Sequence, residues 1–338
     1  MPETKQTRAA AREAASGAPA GVELELERHR PELTGYCYRM LGSAFEAEDA
    51  VQETLVRAWR GYERFEGRSA LRSWLYRIAT NVCFDLLEGR KRRARPMDLG
   101  AAREPDAANL HALPEERWIQ PVPDRLVVPE GDPAEVALAR ETVRLAFVAA
   151  LQHLPPRQRA VLILCEVLRW RAAEVAELLE TTVASVNSAL QRARGTLART
   201  DVTAVAEPTA LDEVDAELLA RYVDAFERYD MEALVELIHE DATQSMPPYD
   251  LWLRGRADIL TWWLGPGAGC RGSRVLSAPA ANGAPAFGQY KPSPTGAGYD
   301  PWALQVVELS GGRIAELTFF LDTGAVFPLF GLPLRLDA

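Results

Sequence analysis

Two short segments, Ala172-Ala-Glu-Val-Ala-Glu-Leu-Leu179 and Val183-Ala-Ser-Val-Asn-Ser-Ala-Leu-Gln-Arg-Ala-Arg194, are separated by the turn Glu180-Thr-Thr182. Apolar residues recur at helical spacing in both segments, so each is predicted to be a helix. The Thr182 hydroxyl can accept a hydrogen bond from a free backbone N–H and so cap the second helix. Two short helices joined by such a turn are typical of a helix-turn-helix.

The second helix of this pair is predicted to run from residue 183 to 198, with one packed face and one polar face. Val186, Leu190, Ala193 and Leu197 fall on the packed face. The other face carries side chains that can bond to base edges and phosphates in a major groove; they are Ser185, Asn187, Ser188, Gln191, Arg192 and Arg194. The alternative is a helical hairpin that does not bind DNA.

Residues 23–95 are predicted to form an earlier helical domain, in which residues 62–81 interleave arginine with aromatic side chains and residues 90–93 are basic. Arginine neutralises phosphate, and aromatic walls accept a base that has left the stack. We therefore predict a grip on single-stranded DNA by these residues: Arg64, Arg68, Arg72, Trp74, Arg77, Asn81, Arg90, Lys91, Arg92 and Arg93. The alternative is that Trp74 is ordinary core and that the arginines are a solvated face.

A helix predicted over residues 47–59 mixes acidic and apolar groups, as a protein-docking surface does. The candidate docking residues are Glu48, Asp49, Gln52, Glu53, Leu55 and Val56. A solvated helix face is the alternative, because charge on one side of a helix is common.

The formal net charge of −10 hides an uneven distribution. Residues 64–95 hold 9 Lys and Arg against 3 Asp and Glu, whereas residues 212–338 hold 9 against 18. Residues 183–199 contain three arginines and no acid. A basic segment concentrates near phosphates and gains from counterion release, so the two basic segments are the parts expected to meet DNA.

Residues 96–133 hold 3 basic and 8 acidic side chains and seven prolines, without helical periodicity. Because proline removes backbone donors and disfavours helix before it, we predict an extended acidic linker here. Helices are predicted to resume in a domain over residues 134–204, with one helix at 135–151, a break at Pro155-Pro156 and another helix at 157–167.

Residues 212–338 have a different character. Two predicted helices precede strand-like segments near residues 242–246, 273–279, 285–290, 301–309 and 313–321. Gly311-Gly312 lies between two alternating apolar runs, which favours a tight hairpin. Helices followed by an antiparallel sheet indicate a separate α+β domain.

The remaining composition excludes several classes. No apolar run approaches the ~18 residues that span a bilayer, so no membrane contact is expected. Residues 1–22 are polar, lack a secretory apolar region and are predicted to be a disordered tail. The four scattered cysteines form no CxxC pair, which argues against disulfides and zinc and favours a reducing cytoplasm. No metal or other cofactor is expected.

The string Glu46-Ala-Glu-Asp-Ala-Val-Gln-Glu-Thr-Leu-Val-Arg-Ala-Trp59, followed by Arg72-Ser-Trp-Leu-Tyr-Arg-Ile-Ala-Thr-Asn81, resembles region 2 of extracytoplasmic-function (ECF) sigma factors. Leu154-Pro-Pro-Arg-Gln-Arg-Ala-Val161 and the helix-turn-helix resemble region 4 of the same family. The resemblance covers roughly residues 23–200. It implies two all-α domains and a non-enzymatic transcription initiation factor that directs RNA polymerase to promoters.

The resemblance also implies partners and roles. Residues 46–59 would dock on the β′ clamp helices of core RNA polymerase, and region 4 would meet its β flap. The stretch ending at Asn81 would capture a base flipped from the −10 element, the helix at 183–198 would read the −35 element, and the linker would run near the RNA exit path. An anti-sigma protein is a further candidate partner. Family members commonly have glycine where Glu180 stands, and a left-handed backbone there would be strained.

The C-terminal 127 residues resemble a SnoaL-like domain, a cone of curved sheet and helices. Such a cone implies a pocket for a small ligand, with candidate walls Met246, Trp252, Trp263, Trp302 and Phe320, and further Tyr249, Trp262 and Tyr290. A pure core role for these residues is the alternative. Catalysis on this fold would need an acid and base such as His239, Asp250 or Asp322.

The expected function is therefore a sigma factor whose activity the C-terminal domain tunes. A polymerase-independent helix-turn-helix regulator and a cone-fold enzyme with a DNA-binding tether are the alternatives. The base-capturing segment favours the sigma factor, because a repressor of duplex DNA has no use for it.

Overall fold

The computed structural model describes residues 21–65, 70–129, 131–199 and 213–337. The predicted tail therefore lies almost wholly outside the described residues, as do Arg68 and the side chain of Arg64. Among the described residues, one compact unit is formed by 21–41, 45–90 and 155–194, and a second by 42–44, 91–154 and 195–337. These are called the first and second unit below.

The described residues form the following α-helices: α1 (Val22–Glu27), α2 (Arg30–Leu41), α3 (Ala44–Gly61), α4 (Leu71–Leu87), α5 (Asp124–Val127), α6 (Pro133–Glu141), α7 (Leu145–Gln152), α8 (Pro156–Leu162), α9 (Ala172–Leu178), α10 (Val183–Leu197), α11 (Glu213–Arg228), α12 (Met231–Leu237), α13 (Arg256–Leu264) and α14 (Thr323–Leu329). They form these β-strands: β1 (Ile238–Ser245), β2 (Trp252–Arg254), β3 (Arg274–Ala281), β4 (Ala284–Pro292), β5 (Tyr299–Ser310) and β6 (Arg313–Phe320). None of these helices is long and apolar enough to cross a membrane.

The first unit is helical throughout its described part. Helix α4 buries Leu75, Ala79 and Val82, whose spacing places them on one side of the helix. The Tyr36 hydroxyl of α2 and the Thr80 hydroxyl of α4 are hydrogen-bonded at 2.8 Å inside the core. This buried pair fixes how α2 and α4 pack together.

The single helix predicted at 135–151 is wrong, because α6 and α7 are separate helices. The Thr142 hydroxyl donates to Leu138 O at 2.9 Å and closes α6. Val143 O then accepts a hydrogen bond of 2.7 Å from Asn282 of the β3–β4 turn. That tertiary bond diverts a carbonyl from the helix, which sequence periodicity cannot reveal. The helix predicted at 157–167 is α8, continued by a π-helical turn at Ile163–Val167.

The second unit is built on one six-stranded sheet with the order β2-β1-β6-β5-β4-β3. Strand β1 is parallel to β6, and the other neighbours are antiparallel. The predicted hairpin at Gly311-Gly312 is confirmed, since Ser310 pairs with Arg313 and both glycines have positive φ. Helices α11, α12 and α13 cover the apolar side of the sheet around Tyr222, Leu234 and Ile259. The short strand β2 was not predicted.

The acidic linker is packed against the sheet of the second unit. It contains 3₁₀ turns at Pro96–Asp98, Ala107–Asn109 and Glu115–Arg117. Trp118 and Ile119 are buried, and so is Val122. Its backbone pairs with that of the C-terminal domain through the bridges Ala112–Tyr249 and Pro123–Ala281.

Candidate nucleic-acid interface and ligand pocket

Helix α10 presents its polar face to solvent. All six predicted base- and phosphate-contacting residues are exposed: Ser185, Asn187, Ser188, Gln191, Arg192 and Arg194. Val186 and Ala193 are buried on the opposite face, while Leu190 and Leu197 are half-buried. Arg194 forms an ion pair with Glu166.

The turn before α10 has the predicted chemistry. The Thr182 hydroxyl accepts a hydrogen bond of 3.1 Å from the Ser185 N–H, which confirms the N-cap. Glu180 has φ 51°, so the turn adopts the left-handed backbone that is strained for a residue other than glycine. A glutamate in this conformation costs about 1 kcal/mol relative to glycine.

Helix α4 carries the predicted single-strand site, and its aromatic part is stacked within the first unit. The Trp74 ring lies on the Phe65 ring, with centroids 4.9 Å apart. Asn81 is exposed further along the helix. Arg72 Nε is 2.7 Å from a Glu32 carboxylate oxygen, so this arginine is already neutralised.

Other side chains of α4 contact the segment around the helix-turn-helix. The Trp170 ring lies 5.0 Å from the Tyr76 ring between centroids. The Arg72 guanidinium lies 5.2 Å from the centroid of each of these two rings. Arg77 donates a hydrogen bond of 3.3 Å to Glu177 O on α9. The predicted −10-binding face is thus partly covered by the predicted −35-reading domain.

The basic cluster after α4 divides into exposed and structural residues. Lys91 and Arg92 are exposed, and Arg92 contacts the His153 ring. Arg90 pairs with Glu46. The prediction for Arg93 is corrected: only 7% of the residue is exposed, and its guanidinium donates to Trp118 O at 2.7 Å. Backbone carbonyls are therefore partners of the Arg93 guanidinium in this structure.

The predicted docking face of α3 is mostly accessible. Glu48, Asp49 and Gln52 are exposed, and Glu53 and Val56 are half-buried. The prediction that Leu55 belongs to the docking face is wrong, because only 6% of this residue is exposed. It falls on the apolar side of α3 and therefore packs inward.

Arg103 and Asn282 anchor the linker on the C-terminal domain. The Arg103 guanidinium donates to both Asp250 carboxylate oxygens, at 2.9 and 3.1 Å. Asn282 at the β3–β4 turn accepts from the Val122 N–H at 3.0 Å and donates to Val143 O. Neither anchor is predicted from the sequence. The Asn-Gly pair at 282–283 is a hairpin signal, but the partners of Asn282 are more than 130 residues away.

A carboxylate pair lies beneath the linker. Glu308 and Glu316 are directly opposite on β5 and β6. Arg144 lies 2.7 Å from Glu308, and Arg95 lies 3.9 Å from Glu316. Burial raises the pKa of Glu316 to about 7, and the Glu308 carboxylate adds to the rise while Arg95 opposes it.

The C-terminal domain contains an aromatic pocket of about 440 Å³, its open mouth included. Aromatic rings supply most of its wall: Phe226, Tyr229, Trp262, Trp263, Trp302 and Phe319. Gln244 is the buried polar side chain in the wall, and its Oε1 has no hydrogen-bond partner among the residues that the structure describes. Of the predicted wall residues, Met246, Trp262, Trp263 and Trp302 line the pocket.

Four of the predicted wall residues lie outside the pocket. Successive side chains of a strand point to opposite faces of the sheet, and this alternation explains the wrong prediction for Phe320. Phe319 faces the pocket, so its neighbour Phe320 faces a crevice on the linker side. The Trp252 indole donates to Gly100 O of the linker at 2.9 Å. Tyr249 pairs with the linker, and Tyr290 is buried with its hydroxyl on Pro333 O.

The three acid–base candidates are dispersed as well. His239 is exposed on β1, Asp250 is held by Arg103, and Asp322 precedes α14. None of them lines the aromatic pocket.

Comparison with known families and proteins agrees with this architecture. The Sigma-70 region 2 model matches residues 26–93, the Sigma-70 region 4 model matches 144–197, and the SnoaL-like domain model matches 219–317. The chain is 46% identical over 310 residues to the ECF RNA polymerase sigma factor SigG of Mycobacterium tuberculosis, covering 91% of this chain and 82% of SigG. It is 30% identical over 169 residues to SigW of Bacillus subtilis, covering 50% of this chain and 82% of SigW.

The crystal structure of the M. tuberculosis ECF sigma factor SigJ has the same fold, with a TM-score of 0.57 over 92% of this chain and 99% of SigJ, at 23% identity. Extended similarity to SigG, together with both sigma regions in order, establishes the family. This chain belongs to the ECF RNA polymerase sigma factors and carries a SnoaL-like domain after region 4.

Proposed function

We propose that this chain binds core RNA polymerase through α3, holds the melted −10 strand on α4 and reads the −35 duplex with α10. Its C-terminal domain regulates this activity by holding the linker. It acts as a non-enzymatic regulator in the cytoplasm, where its polymerase and promoter partners are. The observation that carries the proposal is the exposed polar face of α10 combined with the basic, aromatic face of α4 in one sigma-family chain.

Charge and shape support the two DNA contacts. Asn187, Gln191 and Arg192 can form the bidentate or paired hydrogen bonds by which helices read base pairs in a major groove. Around α4, arginine beside Trp74 provides the phosphate and stacking contacts that single strands need. The acidic C-terminal domain would be repelled by DNA and is suited to a regulatory part.

The contacts of the first unit correspond to a closed state. The −35 and −10 elements are centred roughly 25 base pairs apart, which is about 85 Å of B-form DNA at 3.4 Å per base pair. Arg77 on α4 lies 3.3 Å from Glu177 O on α9, and α10 begins only five residues after Leu178. The 15 residues of α10 span about 22 Å, so both elements cannot be engaged until α4 and α9 separate.

The linker contacts explain how the C-terminal domain would act. A linker that lies along the RNA exit path cannot at the same time be paired with Tyr249, Ala281 and Asp250. Holding or releasing the linker therefore changes how far the domains before and after it can move apart. The C-terminal domain would favour the closed state while it holds the linker.

Transcription from a genomic DNA library with purified core polymerase tests the function. Addition of the full chain is expected to produce a specific set of start sites that core polymerase alone does not use. Substituting Asn187 and Arg192 with alanine is expected to abolish those starts, whereas Arg254→Ala, which removes an exposed arginine of β2 outside both basic segments, is the matched control. Unchanged, unselective initiation in the presence of the chain would refute the proposal.

A further inference from the structure

The C-terminal domain has an open polar groove on its surface that shares no residue with the aromatic pocket. The groove has a volume of about 400 Å³, within the ~300–1,000 Å³ typical of small-molecule sites. It lies where α11, the end of α12, the start of α13 and the turn between β5 and β6 come together. Its wall includes Leu218, Arg221, Glu236, Leu237, Arg256 and Arg313.

Positive charge is concentrated in this groove, although the domain around it is acidic. Residues 212–338 hold nine Lys and Arg, and three of these nine, Arg221, Arg256 and Arg313, line the groove. Glu236 is the acidic residue of the wall, so three positive charges face one negative charge. A groove with this excess of positive charge attracts a compact anion.

The three arginines have donors that the protein does not use. None of their guanidinium groups forms an ion pair within the part of the chain that the structure describes. Arg256 is half-buried, and its Nε is buried with no hydrogen-bond partner among the described residues. A buried charged donor without a partner is unfavourable, and an anion in the groove would supply the missing acceptor.

Arg313 is held in position at the groove by the backbone of α12. Its Nη1 donates a hydrogen bond of 2.6 Å to Glu236 O in the last turn of that helix. The next residue, Ile314, pairs with Ile238 of β1, which directly follows α12. The guanidinium is therefore fixed in place by one donor while its other nitrogen atoms stay available to a ligand.

The number of available donors distinguishes between classes of anion. Each guanidinium carries about five N–H donors in a planar fork, whereas one carboxylate offers only about four acceptor positions. Two linked phosphate groups offer more acceptor oxygens and more negative charge, and the arginine fork matches phosphate in paired hydrogen bonds. Three arginines from three separate elements therefore suit a diphosphate better than a single carboxylate.

We propose that this groove binds a small ligand with two linked phosphate groups, held by Arg221, Arg256 and Arg313. A nucleic acid fits less well, because residues 212–338 hold 18 acidic side chains, which repel a long polyanion that extends beyond the groove. The site goes beyond the proposed sigma activity and does not depend on it, since all of its residues belong to the C-terminal domain.

Calorimetric titration of the full chain with simple anions tests the site. The probes are pyrophosphate, inorganic phosphate and citrate, in a buffer of low ionic strength without divalent cations. Pyrophosphate is expected to bind one to one with a Kd of roughly 0.1 mM, within the limit for a ligand of this size. Phosphate and citrate are each expected to bind about tenfold more weakly, because fewer charge-assisted hydrogen bonds can form.

Substitutions in the groove assign the contacts. Arg256→Gln is expected to weaken pyrophosphate binding about tenfold, and Arg256→Lys less, because lysine keeps the charge but loses the fork. Arg221→Gln should weaken binding several-fold; Arg221 is exposed and makes no hydrogen bond within the described residues, so this variant is expected to fold normally. The matched control is Arg254→Gln, which removes an exposed arginine of β2 outside the groove and should leave the affinity unchanged.

A further variant excludes binding of the probe by the DNA-reading helix. Arg192→Gln removes an exposed charge from α10 and is expected to leave pyrophosphate binding unchanged. The proposal is overturned if pyrophosphate does not bind saturably up to 10 mM or if citrate binds as tightly. It is also overturned if Arg192→Gln or Arg254→Gln weakens binding as much as Arg221→Gln does.

Discussion

The Arg103 guanidinium on the linker and the Asp250 carboxylate of the C-terminal domain form a two-point ion pair, with nitrogen–oxygen distances of 2.9 and 3.1 Å. Asp250 is 147 residues further along the chain and is largely buried, with 17% of its side chain exposed. Paired hydrogen bonds of this geometry fix orientation as well as distance. The pair therefore holds one point of the linker in a defined place on the domain.

Breaking this pair should loosen the linker locally. In Arg103→Met, the amide of Asp250, which donates to His111 O at 3.0 Å, is expected to exchange its hydrogen about tenfold faster. The Leu113 amide, bonded to Pro248 O, should behave likewise. Hydrogen exchange read by mass spectrometry measures this, with Arg254→Met as the control. Equal exchange rates in both variants would show that the pair does not hold the linker.

Asn282 should stabilise the second unit through its side chain. It has φ 54°, so Asn282→Gly keeps the turn but loses the bonds to the Val122 N–H and Val143 O. The expected loss is about 2–3 kcal/mol in the free energy of unfolding, since two buried backbone groups lose partners. Asn282→Asp retains the acceptor but sets a buried carboxylate oxygen against Val143 O, so it should lose at least as much. Urea unfolding measures both, and a glycine variant as stable as the parent would contradict this role.

Trp170 should restrain α4 in the closed state. Its ring packs on Tyr76 and on the guanidinium of Arg72, and Arg72 is one of the residues predicted to bind the −10 strand. Trp170→Ala is therefore expected to raise the affinity for a −10 single-stranded oligonucleotide several-fold, and Trp170→Phe less. Fluorescence anisotropy at fixed salt measures the change, with a duplex of unrelated sequence as control. Weaker or unchanged single-strand binding by the folded alanine variant would argue against a covered site.

Glu316 should make the second unit less stable as pH rises. Its pKa is raised from the usual 4.5 to about 7 by burial, so between these values the folded chain retains a proton that the unfolded chain has lost. Stability should therefore fall from about pH 5 to pH 7 and level off above. Arg95, Asp98 and Glu308 surround the group and set the position of this window.

Glu316→Gln is expected to flatten this decline and to raise the melting temperature by a few degrees at pH 8. Thermal unfolding from pH 5 to 8 measures the effect, and Glu240→Gln, an exposed substitution on β1, is the matched control. A decline of the same steepness in Glu316→Gln would exclude this carboxyl group as its source.

Patterns among near neighbours in the sequence predicted the helices and strands well. They could not predict contacts between residues that are far apart in the chain. The periodicity of α10, the cap at Thr182 and the Gly311-Gly312 turn all depend on neighbours within a few residues. The break between α6 and α7 depends on Asn282, far along the chain, so periodicity alone suggested one helix. An irregular, proline-rich segment such as the linker gives no signal of where Trp118 and Ile119 will be buried.

The same division holds for the candidate sites. Solvent exposure of Asn187, Gln191 and Arg192 follows from helical spacing and was predictable. Arg93 resembles its basic neighbours in sequence, and only the carbonyls around its guanidinium distinguish it. For the pocket, composition identified aromatic residues, but the strand register decides that Phe319 and not Phe320 faces inward.

Permanganate reactivity of thymines in the −10 element of a promoter selected by this chain tests the central claim most directly. With core polymerase and the full chain, those thymines should become reactive. Asn81→Ala should diminish the signal, and Asn187→Ala combined with Arg192→Ala should remove it. The account would be contradicted if those thymines stay unreactive with the full chain. It would also be contradicted if they react equally with core polymerase alone.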